Sequence, residues 1–148
     1  MQILVINPGS TSTKIAVYED AKPLMLRTIR HSAEQLIQYE EVTDQFDFRK
    51  QLVIDELRRM DIPFHFQAVI GRGGLVKPVE GGVYEINQRM LDDTRNAIHK
   101  HACDLGCLIA YEIAAGIPGC RAFSADPGVV DELSPPARIS RPPRRDRL

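Results

Sequence analysis

"INPGSTSTK", running from Ile6 to Lys14, follows directly on the apolar residues Ile3, Leu4, Val5 and Ile6. A buried strand that opens into hydroxyls, a glycine and a lysine has two readings. One is an ordinary β-hairpin turn whose Ser and Thr side chains satisfy the local backbone. The other is a cradle for phosphate. Gly9 lets the backbone come close to a ligand, and successive N–H groups in a turn form an anion-binding nest. Ser10, Thr11, Ser12 and Thr13 add hydroxyl donors, and Lys14 adds a mobile positive charge. The stretch is not a Walker A loop, because G-x-x-x-x-G-K-[ST] is missing and it leads into a strand rather than a helix. Composition of the turn alone leaves both readings open.

Working outward, Gln2 to Ile6 reads as a buried strand and Lys14 to Tyr18 as a second, joined by a wide hairpin. Pro23 to Ile29 is compatible with a third antiparallel strand. Ser32 with Gln35 makes a capping box for a helix, and Phe46, Phe48, Leu52, Val53, Leu57 and Met60 follow helical spacing. Pro63 closes that helix, and "FQAVIGRGG" (66–74) is a short strand running into glycines. Val83 to Ile86 reads as a strand, Asn87 to Ile98 as a helix capped by Asn87, and Leu105 to Ala115 as a strongly apolar helix ended by Gly116 and Pro118. Arg121 to Ala125 is a strand meeting "DPG" at 126–128. The expected architecture is an α/β sandwich with its antiparallel strands first.

The chain has 148 residues, one domain's worth and enough to bury a core. A hydrophobic fraction of 43% and a charged fraction of 26% are those of a globular protein. With a formal net charge of -1 and 6% aromatics, neither a nucleic acid nor an anionic membrane is expected as partner. No apolar run approaches the roughly 20 residues that span a bilayer, and the start lacks the pattern of a secretory signal. Cys103, Cys107 and Cys120 form no disulfide framework, which fits a reducing cytoplasm.

Other residues able to carry chemistry lie further on. "GRGGLVKPVEGG" (71–82) is a second glycine-rich strand end, and Arg72 between Gly71 and Gly73 offers a planar fork matched to a carboxylate or phosphoryl group. The competing reading is a surface arginine in a loop. His99, His101, Cys103 and Cys107 invite a metal reading, but the spacing is not C-x-x-C and buried free cysteines are common in apolar helices. His101 precedes the Leu105 helix, where an imidazole can donate to an anion; a satisfied structural histidine remains open. Asp126 before Pro127 is placed like a metal- or phosphate-site carboxylate, or like an Asx turn.

Four collinear stretches together resemble butyrate kinases of the acetate kinase group of acyl kinases. They are "ILVINPGSTSTKIAVYED" (3–20), "VIGRGGLVKPVEGGVYEIN" (69–87), "MLDDTRNAIHKHACDLGCLIAYEIA" (90–114) and "DPGVVDELSPPARIS" (126–140). The resemblance implies a ribonuclease H-like domain with a mixed sheet, one half of the two-domain fold of acetate kinase, actin, sugar kinases and heat-shock ATPases. It implies transfer of the γ-phosphoryl of ATP, with Mg²⁺, to butyrate or a branched short-chain fatty acid. Carried over by position, Asn7, Gly9, Ser10, Ser12 and Lys14 line the phosphate path. Arg72 holds the carboxylate or the phosphoryl in flight, His101 donates to its oxygens, and Asp126, with Asn7, faces Mg²⁺ or its water. Val76 and Pro78 are placed near the acyl tail. The family is cytoplasmic and tends to form homo-oligomers.

Three departures from the family pattern bear on this. Its members are considerably longer, and their second domain carries the adenosine-binding motifs. Gly128 stands where a bulkier apolar residue is usual. After Ser140 the resemblance stops, and "RPPRRDRL" is Arg- and Pro-rich. The expected organisation is therefore an acyl-kinase domain over 1–140 and a disordered tail over 141–148, a truncated or frameshifted product that is inactive alone and exposes apolar surface.

Overall fold

The computed structural model describes residues 1–72, 83–95 and 105–125. In chain order these form β1 (Gln2–Pro8), β2 (Ser12–Glu19), β3 (Lys22–Arg30), α1 (Ala33–Ile37), a 3-10 turn (Val42–Gln45), α2 (Phe46–Arg59), β4 (Ala68–Arg72), β5 (Val83–Glu85), α3 (Gln88–Arg95), α4 (Leu105–Ala115) and β6 (Arg121–Ala125). The strands make one six-stranded mixed sheet in the order β3-β2-β1-β4-β6-β5. The first three strands are an antiparallel meander, and β1, β4 and β6 are parallel neighbours. This is the expected ribonuclease H-like arrangement.

Alternation along β1 sets the two faces. Leu4 and Ile6 are fully buried toward the helices, whereas Ile3, Val5 and Asn7 point to the opposite face and are half-buried. On the helical face α2 contributes the stripe Arg49, Val53, Leu57, buried at a spacing of one turn. Helix α4 is buried almost all round, which its apolar sequence demands. It approaches β4 closely: a Cβ on Gly71 would run into the Gly106 carbonyl, and one on Gly106 into the Arg72 carbonyl. Two glycines facing each other are what let this helix sit on that strand.

The local signals held where they rest on hydrogen bonds. Ser32 caps α1 with both bonds of the capping box, and Asn87 accepts at 2.9 Å from Met90 N at the start of α3. Two details differ. Strands β1 and β2 continue past their apolar runs, so only Gly9, Ser10 and Thr11 separate them and the hairpin is tight rather than wide. Strand pairing, Asn7 with Lys14 and Pro8 with Thr13, recruits the polar residues. The expected glycine-rich loop after β4 and the tail after 125 lie outside the described residues.

Helices α2 and α4 pack on one face of the sheet. The other face exposes Leu26 and leaves Ile3, Val5 and Ile70 only half-buried. Parallel strands are ordinarily covered on both sides. No helix among the described residues is long and apolar enough to cross a membrane.

Candidate functional site

Strands β1, β4 and β6 run parallel, so their carboxyl ends share one sheet edge, where ligands of open α/β sheets gather. Register pairs Ile6 with Gly71, and Arg72 with Ala125. Asn7 pairs with Lys14 across the β1–β2 hairpin. Asn7, Lys14, Arg72 and Ala125 consequently border one end of a groove of about 460 Å³ lying over the bare sheet face. Its floor is apolar, from Ile3, Val5, Ala16 and Ile70. Only the strand-end corner offers an amide, an ammonium and a guanidinium together, so that corner, rather than the groove as a whole, is the place for an anion.

Behind the corner lies the β1–β2 turn, and its carbonyls point inward. Arg49 of α2 is fully buried. Its Nη1 donates to Gly9 O at 2.6 Å, Ser12 O at 3.1 Å and Thr13 Oγ1 at 3.2 Å. Its Nη2 donates to Ser10 O at 3.1 Å, and Nε to Gln45 Oε1 at 3.0 Å. The remaining carbonyl, Thr11 O, accepts from His31 N at 2.9 Å, and Gly9 N closes the turn onto Ser12 O at 2.6 Å. Ser10 and Thr11 are exposed, and their amides meet no acceptor among the described residues. A turn whose carbonyls are consumed from behind presents donors outward, the polarity a phosphate needs.

His31 completes the buried side. Its Nε2 lies 2.8 Å from Thr13 Oγ1, and Nδ1 has no partner among the described residues. Because Arg49 can only donate, Thr13 Oγ1 accepts from it, and the same hydroxyl pairs with His31 Nε2 in the direction the imidazole tautomer sets. Burial, reinforced by the Arg49 charge, holds the His31 pKa down to about 4.

The structure brings Asn7, Gly9, Ser10, Ser12, Lys14 and Arg72 to one sheet edge. Thr13 is withdrawn from the outward set, because its hydroxyl is buried between Arg49 and His31. The carbonyl oxygen of Gly9 accepts from Arg49, yet a Cβ there would meet only ordinary contact at 3.5 Å, so the glycine is not sterically demanded. His101 and Asp126 lie outside the described residues, as do His99, Cys103, Val76 and Pro78. Cys107, from the metal reading, is a buried thiol 3.6 Å from Thr94 Oγ1. Among the described residues no three His, Cys, Asp or Glu side chains cluster. For Mg²⁺ the described part of the corner offers the neutral side-chain oxygen of Asn7, while the carboxylate expected with it, Asp126, follows the last residue of β6. Arg49 and His31 were missed in the sequence. Their one signal is an arginine in the apolar stripe of α2, four residues before Val53.

The mixed sheet with its flanking helices is a fold that solved acetate and propionate kinases share. The chain is similar to the acetate kinase of Entamoeba histolytica, with a TM-score of 0.53 at 15% identity over 85% of this chain and 34% of that one. A propionate kinase of Francisella tularensis gives a TM-score of 0.50 at 16% identity, over 92% of this chain and 39% of that one. At such identities the likeness concerns the fold alone. No protein-family profile matches the sequence. Sequence comparison goes further: a protein of Bacteroides thetaiotaomicron named "Probable butyrate kinase" is 63% identical over 97% of this chain and 40% of its own length. One of the same name from Phocaeicola vulgatus is 51% identical over 100% of this chain and 42% of its own. Over nearly its whole length the chain is similar in sequence to these two probable butyrate kinases. It spans about two fifths of the length of these curated relatives.

Proposed function

We propose that this chain is the phosphate-binding wall of an ATP-dependent kinase that converts butyrate, or a related short-chain fatty acid, into its acyl phosphate and ADP. The observation that carries the reading is the convergence of Asn7, Lys14 and Arg72 on the edge that also holds the inward-facing turn. A carboxylate acceptor with an ordinary pKa of about 4–5 is already ionised at neutral pH, so the reaction asks little of a general base. One carboxylate oxygen forms the new P–O bond as the γ-phosphoryl bond to ADP breaks, and the work left to the protein is positioning and charge neutralisation.

Each residue then has a task. Asn7 donates to phosphate without the repulsion an aspartate would add, and Lys14 offers a mobile charge. Arg72 holds carboxylate or phosphoryl in its planar fork. The turn amides of Ser10 and Thr11 face the phosphate chain. His101 and Asp126, on the expected positions, donate to the phosphoryl and orient Mg²⁺ or its water. ATP supplies the phosphoryl group, and Mg²⁺ offsets its charge. We place the protein in the cytoplasm, with a small carboxylate as partner rather than nucleic acid or membrane, and assign homo-oligomerisation to the longer family members. The domain division at 140, with a tail over 141–148, belongs to the same reading.

A second reading is supported by the share of the relatives that is spanned. With about two fifths of their length, this chain holds one wall of a nucleotide cleft and is inactive alone. Trapping of butyryl phosphate as hydroxamate from butyrate, ATP and Mg²⁺ separates the possibilities. The 148-residue chain is expected to form none, whereas the same chain fused to the remainder of the Bacteroides relative is expected to form it. Turnover of the chain alone at ~1–100 s⁻¹ overturns the inactive-fragment reading; silence of a folded fusion overturns the kinase reading.

A further inference from the structure

We propose that Arg49 is a positioning residue for the phosphate site, one that shapes the β1–β2 turn and lends it an uncompensated positive charge. The inference rests on the phosphate reading of the turn given above. Its basis is the neutrality of every group around the guanidinium. The acceptors are Gly9 O, Ser10 O, Ser12 O, Thr13 Oγ1 and Gln45 Oε1, three of them backbone carbonyls. Among the described residues no carboxylate pairs with it, although it is fully buried. Buried charges are normally paired, because an isolated one costs several kcal/mol. A structural clamp for one turn has cheaper solutions, such as an asparagine or a bound water.

The charge becomes intelligible if its partner is an anion that arrives from outside. Carbonyl oxygens at the turn surface would repel phosphate, and Arg49 draws three of them inward. The guanidinium then sits on the protein side of a thin turn, where solvent screening is weak and its field reaches the outer face through three residues of backbone. His31 beside it is held neutral, so it adds no second buried charge and needs no counter-ion of its own. The device differs from Lys14 and Arg72 in kind. Those offer donors to the ligand, whereas Arg49 touches only protein.

The test uses the 148-residue chain with inorganic pyrophosphate as probe, followed by amide resonances of Gly9 to Ser12 in the wild type, Arg49→Lys and Arg49→Met. Wild type is expected to bind with shifts confined to the turn and strand-end corner. Loss of a charge-assisted contribution makes Arg49→Met roughly tenfold to a hundredfold weaker. Arg49→Lys keeps the charge but cannot span the carbonyls, so it falls between the two, with faster amide exchange in the turn. A purely structural role would weaken Lys and Met alike once each is scored on its folded fraction, and that result overturns the electrostatic role. In the wild type, where no substitution disturbs folding, the Arg49 Nε–H resonance is expected to shift with the same Kd as the turn amides; a stationary resonance overturns the proposal even if Arg49→Met does not fold. Binding unchanged in both variants removes Arg49 alone. No binding by folded wild type removes the phosphate reading, and the role of Arg49 with it.

Discussion

Lowering the pH should loosen the buried side of the turn through His31. The unfolded imidazole has its ordinary pKa of 6.5, and the folded one is held down to about 4, chiefly by burial and secondly by Arg49. Above pH 6.5 neither state binds much proton, and the stability is fully present. As pH falls below 6.5 the unfolded chain takes up a proton that the folded chain refuses until about pH 4, so stability is lost across that window. At pH 5 the difference in proton binding favours the unfolded state by a factor of roughly 30, or about 2 kcal/mol. Solvent near the exposed Ser10 and Thr11 reduces the expected loss to about 1–2 kcal/mol. The reference is His31→Gln, which keeps a partner for Thr13 Oγ1 and does not titrate. Urea unfolding followed by circular dichroism at pH 7 and pH 5 should show the wild type losing about 1–2 kcal/mol more than the variant. Parallel losses, or a His31 ring proton titrating near pH 6.5, would refute the reasoning.

Other outcomes follow from the packing. Gly106→Ala drives a methyl into the Arg72 carbonyl and should cost about 3 kcal/mol, whereas Gly116→Ala, whose Cβ meets Ile113 O at an ordinary 3.7 Å, should change stability by less than about 0.5 kcal/mol. Equal effects in thermal or urea unfolding would show that α4 does not depend on its close approach to β4. The face with Ile3, Val5, Leu26 and Ile70 should make the chain self-associate, and Leu26→Lys should reduce this. A clean monomer by light scattering at high concentration would contradict it.

What was legible in the sequence were features encoded locally. The capping box of Ser32 and Gln35, the α2 stripe of Val53 and Leu57, and the apolar run of β1 each carry their own signature over a few residues. The long collinear motifs made the resemblance to probable butyrate kinases readable as well. The back of the site was not legible. Arg49 reads from sequence as an ordinary charged helix residue, and only tertiary packing shows its guanidinium crossing some forty positions of chain to reach Gly9. Thr13 was misplaced for a similar reason. Strand alternation turns its side chain inward, and its partners come from elsewhere in the chain, His31 from the link between β3 and α1 and Arg49 from α2.

The most direct measurement is the turnover of the fusion between this chain and the remainder of the Bacteroides relative, with and without Arg72. Hydroxamate formation from butyrate and ATP should proceed at a rate comparable to the relative's own. Arg72→Ala should lower kcat by about 10²–10³-fold with the circular dichroism spectrum unchanged. Equal turnover by the two folded proteins would contradict the placement of phosphoryl transfer at the Asn7, Lys14 and Arg72 corner.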